Sequence, residues 1–310
     1  MEDKKTGVLL LNFGAPEKPS EVEEFITHIS QGKPSENIVS MLKERYALIG
    51  GGSPLNAITR KQAERLGEEL KKQGKDYPVY FGMLHSKPFI SERVGEMIRA
   101  GIKKILAISL APFYSRVSTG AYYSQVQMAV KNNSSEISVI YGGEWNTQPF
   151  FIASWAEKIS QSLKVYPDPR EVNLIFTAHS LPVEPIEDAL NYQRQFQEAV
   201  QAVREKLPYY KSYLAYQSKG QRLGNWLHPQ VEEVIEMLSL KGVKQVLAVP
   251  IGFAADHLET LYDLDIEVKK QAELREIHFR RISALNDDPG FIRLLTEMVL
   301  KNSTYGLRDL

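Results

Sequence analysis

Short apolar runs alternate with longer helical patterns along this 310-residue chain, and that alternation narrows what it can fold into. Residues 8–11, 79–82, 105–110, 174–176, 213–216 and 246–249 are near-continuously apolar and are bounded by Gly, Pro or Ser. A strand covered on one face alternates apolar and polar side chains. A continuous apolar run needs cover on both faces, as parallel strands between helices receive. Between the runs, residues 57–73, 91–100, 192–206, 230–238 and 291–300 carry apolar side chains at helical spacing. Strands alternating with helices predict an α/β chain with doubly wound parallel sheets.

The pattern occurs twice, from residue 8 to about 127 and from 174 to about 267. In each half the third run ends in proline (Pro112, Pro250), followed by a loop and then a helix. Two prolines among polar residues at Tyr166-Pro167-Asp168-Pro169 place the boundary there. The expected domains are 1–167 and 168–287. In doubly wound sheets ligands sit at the carboxyl ends of the strands, so chemistry is expected just after each run.

Composition removes several chemistries. The chain has no cysteine, which excludes disulfides, thiolate zinc, Cys-ligated iron–sulfur clusters and thiol nucleophiles. Any metal must be handled by nitrogen and oxygen. Lys+Arg and Asp+Glu both number 38, so no global field attracts nucleic acid or an anionic membrane. No apolar stretch approaches the roughly 20 residues that span a bilayer. The start, Met1-Glu2-Asp3-Lys4-Lys5 and a short apolar run, lacks the long core of a signal peptide. A soluble, cytoplasmic protein is the expectation. The glycines after residues 8–11 do not form the dinucleotide fingerprint, and no P-loop occurs.

The segments after the runs supply the candidates. Asn12-Phe13-Gly14-Ala15-Pro16 follows the first. Arg45-Tyr46 precedes Gly50-Gly51-Gly52-Ser53-Pro54, where Ser53 reads as a helix cap with Pro54 first in the helix, and the glycine N–H groups as open to an anion. A flexible loop with a good cap explains it equally. Tyr114, Tyr122 and Tyr123 follow the third run, as interface packing or as a wall for a flat ligand. His179 ends the fourth run, facing a cleft and mostly neutral at pH 7 if unperturbed; the competing reading is a structural histidine. Trp226 is a packing anchor or part of the cleft wall, and Pro229 is expected to open a helix.

The last segment carries most. Asp256 is placed as a helix cap, with Glu259 in the first turn. Glu259, Asp263 and Glu267 follow at i, i+4, i+8 and so line one helix face, one turn of about 5.4 Å apart. Like charges at this spacing repel. Such a ladder is either a solvated acidic face or a track for a divalent cation. His257 stands at i, i+2 to Glu259 and is not expected to share its face, so His179 is the better partner.

Together, Leu11-Asn12-Phe13-Gly14-Ala15-Pro16, Ile49-Gly50-Gly51-Gly52-Ser53-Pro54-Leu55, Ala178-His179-Ser180-Leu181-Pro182, Gln217-Ser218-Lys219 with Trp226-Leu227, and Phe253-Ala254-Ala255-Asp256-His257-Leu258-Glu259-Thr260-Leu261 resemble the ferrochelatase family, collinearly over nearly the whole chain. The resemblance implies two Rossmann-like domains with a porphyrin cleft between them and a terminal helix, 288–310, packed back on the first domain. It implies insertion of Fe²⁺ into a porphyrin in heme biosynthesis, with iron as substrate and no bound prosthetic group. His179 and Glu259 fall on the family's metal-site pair, Asp263 and Glu267 on its acidic line. Arg45, Tyr46, Ser53 and Tyr122 fall on porphyrin-contacting positions. Phe13 stands where coproporphyrin-type members often carry a metal-reaching tyrosine, and Ser30 where they carry a propionate-binding arginine. Thr27-His28-Ile29 and the short cysteine-free chain nonetheless resemble that group. Transient contact with heme-pathway enzymes fits the resemblance. A chelatase for another metal or tetrapyrrole, a non-catalytic tetrapyrrole or metal carrier, and a nucleotide-dependent transferase are the competing readings.

Overall fold

The computed structural model describes residues 5–30, 32, 34–133, 136–207, 209–220 and 224–304. The expected positions 1–4 and 305–310 lie outside them. Among the described residues eight strands form two four-stranded sheets. The first holds β1 (Thr6–Asn12), β2 (Val79–Met83), β3 (Lys104–Ser109) and β4 (Ser138–Tyr141); the second holds β5 (Asn173–His179), β6 (Ser212–Gln217), β7 (Gln245–Val249) and β8 (His278–Arg281). Strand orders are β2-β1-β3-β4 and β6-β5-β7-β8, so one topology is used twice. Every pairing is parallel. The continuous apolar runs are the central strands: Val8 to Leu11 and Leu174 to Phe176 are buried.

Among the described residues ten α-helices flank the sheets: α1 (Val22–Ser30), α2 (Glu36–Leu48), α3 (Leu55–Lys72), α4 (Ile90–Arg99), α5 (Ala121–Asn133), α6 (Pro149–Leu163), α7 (Ile186–Lys206), α8 (Val231–Leu240), α9 (Lys269–Glu273) and α10 (Pro289–Thr304). Among the described residues one π-helical segment follows the third strand of each sheet, Arg116–Gly120 after β3 and Glu259–Val268 after β7. α10 packs on α3 and α6, beside the first sheet. Among the described residues no helix is long and apolar enough to cross a membrane.

The sequence pattern omits β4 and β8. Both are four-residue edge strands: β8 is polar at three of its positions, and β4 has a short apolar stretch in which no position is fully buried. Three helix starts also differ. α3 begins at Leu55 with Pro54 in the cap position, and Ser53 accepts a hydrogen bond from the Leu55 N–H at 3.3 Å. α8 begins at Val231 rather than at Pro229, whose carbonyl accepts the Tyr216 N–H beside β6. Asp256 does not cap the helix that carries Glu259, where Leu258 holds the cap position. The Asp256 carboxylate is turned to Arg281 (2.6 Å), Asn286 (2.8 Å) and the Ala284 N–H (3.2 Å), tying the loop after β7 to the end of β8.

The halves meet through loops at the carboxyl ends of both sheets. Ala15 and Leu55 pack on Ala255. The α1–α2 pair packs Val22, Ile26, Val39 and Tyr46 together, with Leu258 against them. The Tyr114 N–H donates to Gln195 of α7 at 2.6 Å. The core itself is continuous across the halves, with Phe113 of the first between Tyr192 and Phe196 of the second.

Candidate active site

His179 is the last residue of β5, paired in register with Gln217 at the end of β6. One strand over, the chain leaves β7 and turns at Gly252, whose N–H donates to the Thr177 carbonyl at 3.0 Å. A side chain there would put its Cβ 2.7 Å from the Ala178 backbone, so only glycine lets the loop lie this close to β5. That approach sets the start of the π-helix beside His179. Gln217 fixes it from the other side, donating from Nε2 to the Glu259 carbonyl at 2.8 Å.

The His179 Nδ1–H donates to the Ser180 carbonyl at 2.5 Å. This orients the ring so that Nε2 faces Glu259 Oε1 at 3.2 Å. The other carboxylate oxygen of Glu259 meets His257 Nε2 at 3.3 Å, and His257 Nδ1 sits 3.1 Å from the Ala255 carbonyl. One carboxylate thus lies between two imidazoles. The contact with His257 corrects the expectation from helical spacing. His257 precedes the helix, so i, i+2 geometry does not apply to it.

Burial opposes charge on His179, but the Glu259 carboxylate and the Ser180 carbonyl outweigh it and raise its pKa to about 9. The neutral histidine expected at pH 7 is therefore replaced by an imidazolium in the metal-free protein. Burial works against the Glu259 anion too, yet His179 and His257 hold its carboxyl well below the usual range. Asp263 differs: burial, then the Glu259 charge, pushes it up to about 7.

Asp263 accepts from the Ser218 hydroxyl at 2.5 Å. Glu267 stands farther along, beside half-buried Glu232 of α8, whose carboxyl is raised by burial and by Glu267. The three acidic residues do share a face, on a π-helix rather than an α-helix. Its i→i+5 hydrogen bonds widen the turn, and a four-residue spacing remains near one side. Arg45 of α2 reaches this face from the other half, with Nη1 3.9 Å from Asp263 and Nη2 3.5 Å from Glu267. Its guanidinium lies over the Tyr262 ring at 4.7 Å.

Phe13 packs on His85 (centroids 4.5 Å) and Phe25 (6.5 Å), and Ser30 spends its hydroxyl on the Ile26 and Gly32 carbonyls. Ser53 is buried, its N–H on the Pro16 carbonyl. Gly50 and Gly51 do not present open N–H groups. Both have positive φ and donate to the Ala47 and Tyr46 carbonyls, closing α2. Tyr46 is buried near Glu259, and both burial and that charge raise its pKa. Tyr122 is buried among Leu9, Leu11 and Val94, so the structure does not offer it to a ligand. Tyr114 and Tyr123 instead line a cavity of about 100 Å³ with Trp145 and Gln195, too small for a macrocycle. Trp226 is half-buried with its ring against Gly220.

Sequence reasoning missed Gln217 and Ser218 as site residues, and also His257 and Glu232. The signal for the first two is their place just at and after the end of the strand paired with β5. For Glu232 no signal exists in the sequence, because its neighbour Glu267 is on another element.

The profile of the family described as ferrochelatase matches residues 5–303. The chain belongs to the ferrochelatase family. Its relatives include the ferrochelatase of Herpetosiphon aurantiacus, 36% identical over 299 residues, covering 95% of this chain and 98% of the relative. The coproporphyrin III ferrochelatase of Oceanobacillus iheyensis is 34% identical over 314 residues, covering 99% and 100%. Among solved structures, SirB from Bacillus subtilis with Fe³⁺ superposes with a TM-score of 0.61 at 11% identity, covering 97% of this chain and 96% of SirB. CbiX, described as the terminal enzyme of siroheme biosynthesis in denitrifying bacteria, gives 0.57 at 10% identity, covering 95% and 98%. At such identities these two support the two-domain fold alone. Ferrochelatases are lyases that place ferrous iron in a porphyrin in heme biosynthesis, and the chain is an enzyme of that kind.

Proposed function

We propose that this ferrochelatase uses His179 and Glu259 to receive Fe²⁺ and to remove the pyrrole protons, with Asp263 and Glu267 as the path for metal or protons. The observation that carries the reading is the Glu259 carboxylate held between two imidazole Nε2 atoms at the mouth of an acidic helix face. Insertion must deliver a nearly dehydrated cation and take away two protons. A neutral His179 offers the Nε2 lone pair, because its Nδ1–H is already committed to Ser180. An incoming dication makes the imidazolium less favourable and drives that proton off. Asp263, titrating near neutrality, suits the next step of the relay. His179 and Glu259 would give an ion two ligands and leave coordination positions for the pyrrole nitrogens.

The substrate we assign is coproporphyrin III, supported by the end-to-end likeness to the Oceanobacillus enzyme. Arg45 and Tyr46, with Phe13, Ser53, Tyr122 and Trp226, are the proposed porphyrin contacts. Tyr46, Ser53 and Tyr122 are buried here, so they serve a ligand only after side chains move. The proposed location is the cytoplasm, with transient hand-over of heme to a partner.

Anaerobic insertion of Fe²⁺ into coproporphyrin III and protoporphyrin IX, followed by absorbance, tests the reading. Faster metallation of coproporphyrin III is expected. Equal or faster turnover of protoporphyrin IX overturns the substrate assignment. Tight porphyrin binding with no spectral change on adding iron identifies a carrier, and insertion of Co²⁺ but not Fe²⁺ another chelatase.

A further inference from the structure

Among the described residues Arg45 is the one arginine or lysine whose side chain pairs with Asp263 and Glu267, and it comes from the opposite half of the molecule. It stands in the last turn of α2, whose packing on Leu258 holds it against the Glu259–Val268 helix. Its guanidinium contacts two carboxylates and the Tyr262 ring at once. An arginine in that position does what a cation on the ladder would do: it offsets the repulsion between Asp263 and Glu267. It also occupies the approach along which the proposed function has the metal travel. The contacts are long for an arginine pair, 3.9 and 3.5 Å, each with one nitrogen to one oxygen. A guanidinium finds a better partner in any carboxylate that it can grip with two parallel bonds.

We propose that Arg45 is a switch between two anions, resting on the acidic face when the cleft is empty and leaving it for a carboxylate of the porphyrin when the macrocycle binds. Porphyrin binding then uncovers Asp263 and Glu267, so metal is captured after the porphyrin rather than before it. By linkage, metal on the face likewise favours porphyrin binding. The inference rests on the reading of that face as a metal path.

The test is equilibrium binding of Zn²⁺ or Co²⁺ to the full-length, porphyrin-free protein, against a chromogenic chelator, in wild type, Arg45→Met, Arg45→Lys and Asp263→Asn. Methionine keeps an apolar stem against Tyr262 and removes the charge. Two part-exposed ion pairs predict that Arg45→Met binds metal about three- to tenfold tighter than wild type. Arg45→Lys should fall between them, because an ammonium cannot span both carboxylates. In turnover, Arg45→Met should raise KM for porphyrin while leaving KM for the metal at saturating porphyrin near the wild-type value. Unchanged metal affinity in Arg45→Met, with Asp263→Asn still weakening binding, overturns the switch and leaves the metal path standing. No effect of Asp263→Asn removes the metal path itself, and the switch falls with it.

Discussion

The two halves share a strand order, and each places a π-helical segment after its third strand, yet their strand ends hold opposite chemistry. β1 ends at Asn12, in register with Met83; β5 ends at His179, in register with Gln217. Asn12 donates from Nδ2 to the Thr59 hydroxyl and accepts the Phe13 N–H, a neutral, locally closed arrangement. His179 faces a carboxylate instead. The π-helix of the first half is five residues long and holds hydroxyls, with Ser109 and Thr119 bonded at 2.7 Å. That of the second is ten residues long and carries Glu259, Asp263 and Glu267. The scaffold therefore fixes where a site can form, while side chains decide which of two equivalent places does chemistry.

The contrast is broken most severely by equivalent changes at the two strand ends. His179→Ala should lower the insertion rate about 100-fold or more, the usual cost of removing a positioned base. Asn12→Ala should cost a few-fold at most. Similar losses from both, measured as initial rates under anaerobic conditions, mean that the halves are not specialised as described. Asp263→Asn should slow insertion about tenfold and flatten the rate profile around pH 7, where the Asp263 carboxyl titrates. An unchanged profile removes Asp263 from the relay.

A stability measurement sharpens the electrostatic side. The folded pKa of His179, about 9, lies above its ordinary value of 6.5. The ion pair with Glu259 is therefore fully stabilising below about pH 6.5 and is lost as pH rises through about 9. Metal-free wild type should exceed His179→Gln in Tm at pH 6.5, and the gap should close by about pH 9.5. A gap that widens with pH reverses the assigned charge state. The smallest effect is expected on the neutral side: Tyr122→Phe keeps the ring that the proposed contact uses and removes only a buried hydroxyl, so porphyrin affinity and turnover should change less than about twofold. A large loss of porphyrin affinity shows that the core around α5 opens for the ligand.

The central strands were legible because burial on both faces leaves continuous apolar runs, as in residues 8–11 and 246–249. β4 and β8 were not: the edge strand His278–Arg281 buries only Phe279, and no position of Ser138–Tyr141 is fully buried. His179 was legible from its strand end, and the acidic face from a spacing of four. That spacing fits α and π geometry equally, so the π-helix was hidden. Arg45 was legible as a candidate but not as the partner of Glu267, which lies 222 residues away. The charge on His179 was hidden for the same reason, as Glu259 reaches it only through the crossing of β7's loop over β5. Tyr122 went the other way: a tyrosine after a strand looks available until the packing of β1 and α4 is known.

The most direct test is Glu259→Gln, which keeps the shape and removes the charge between the two imidazoles. Porphyrin affinity, from fluorescence quenching, and anaerobic Fe²⁺ insertion should be measured on the same preparation. Porphyrin binding within about threefold of wild type, with insertion reduced about 100-fold or more, is the expected result. Wild-type insertion by the variant contradicts the claim that the second half's carboxylate–imidazole cluster handles the metal and the protons.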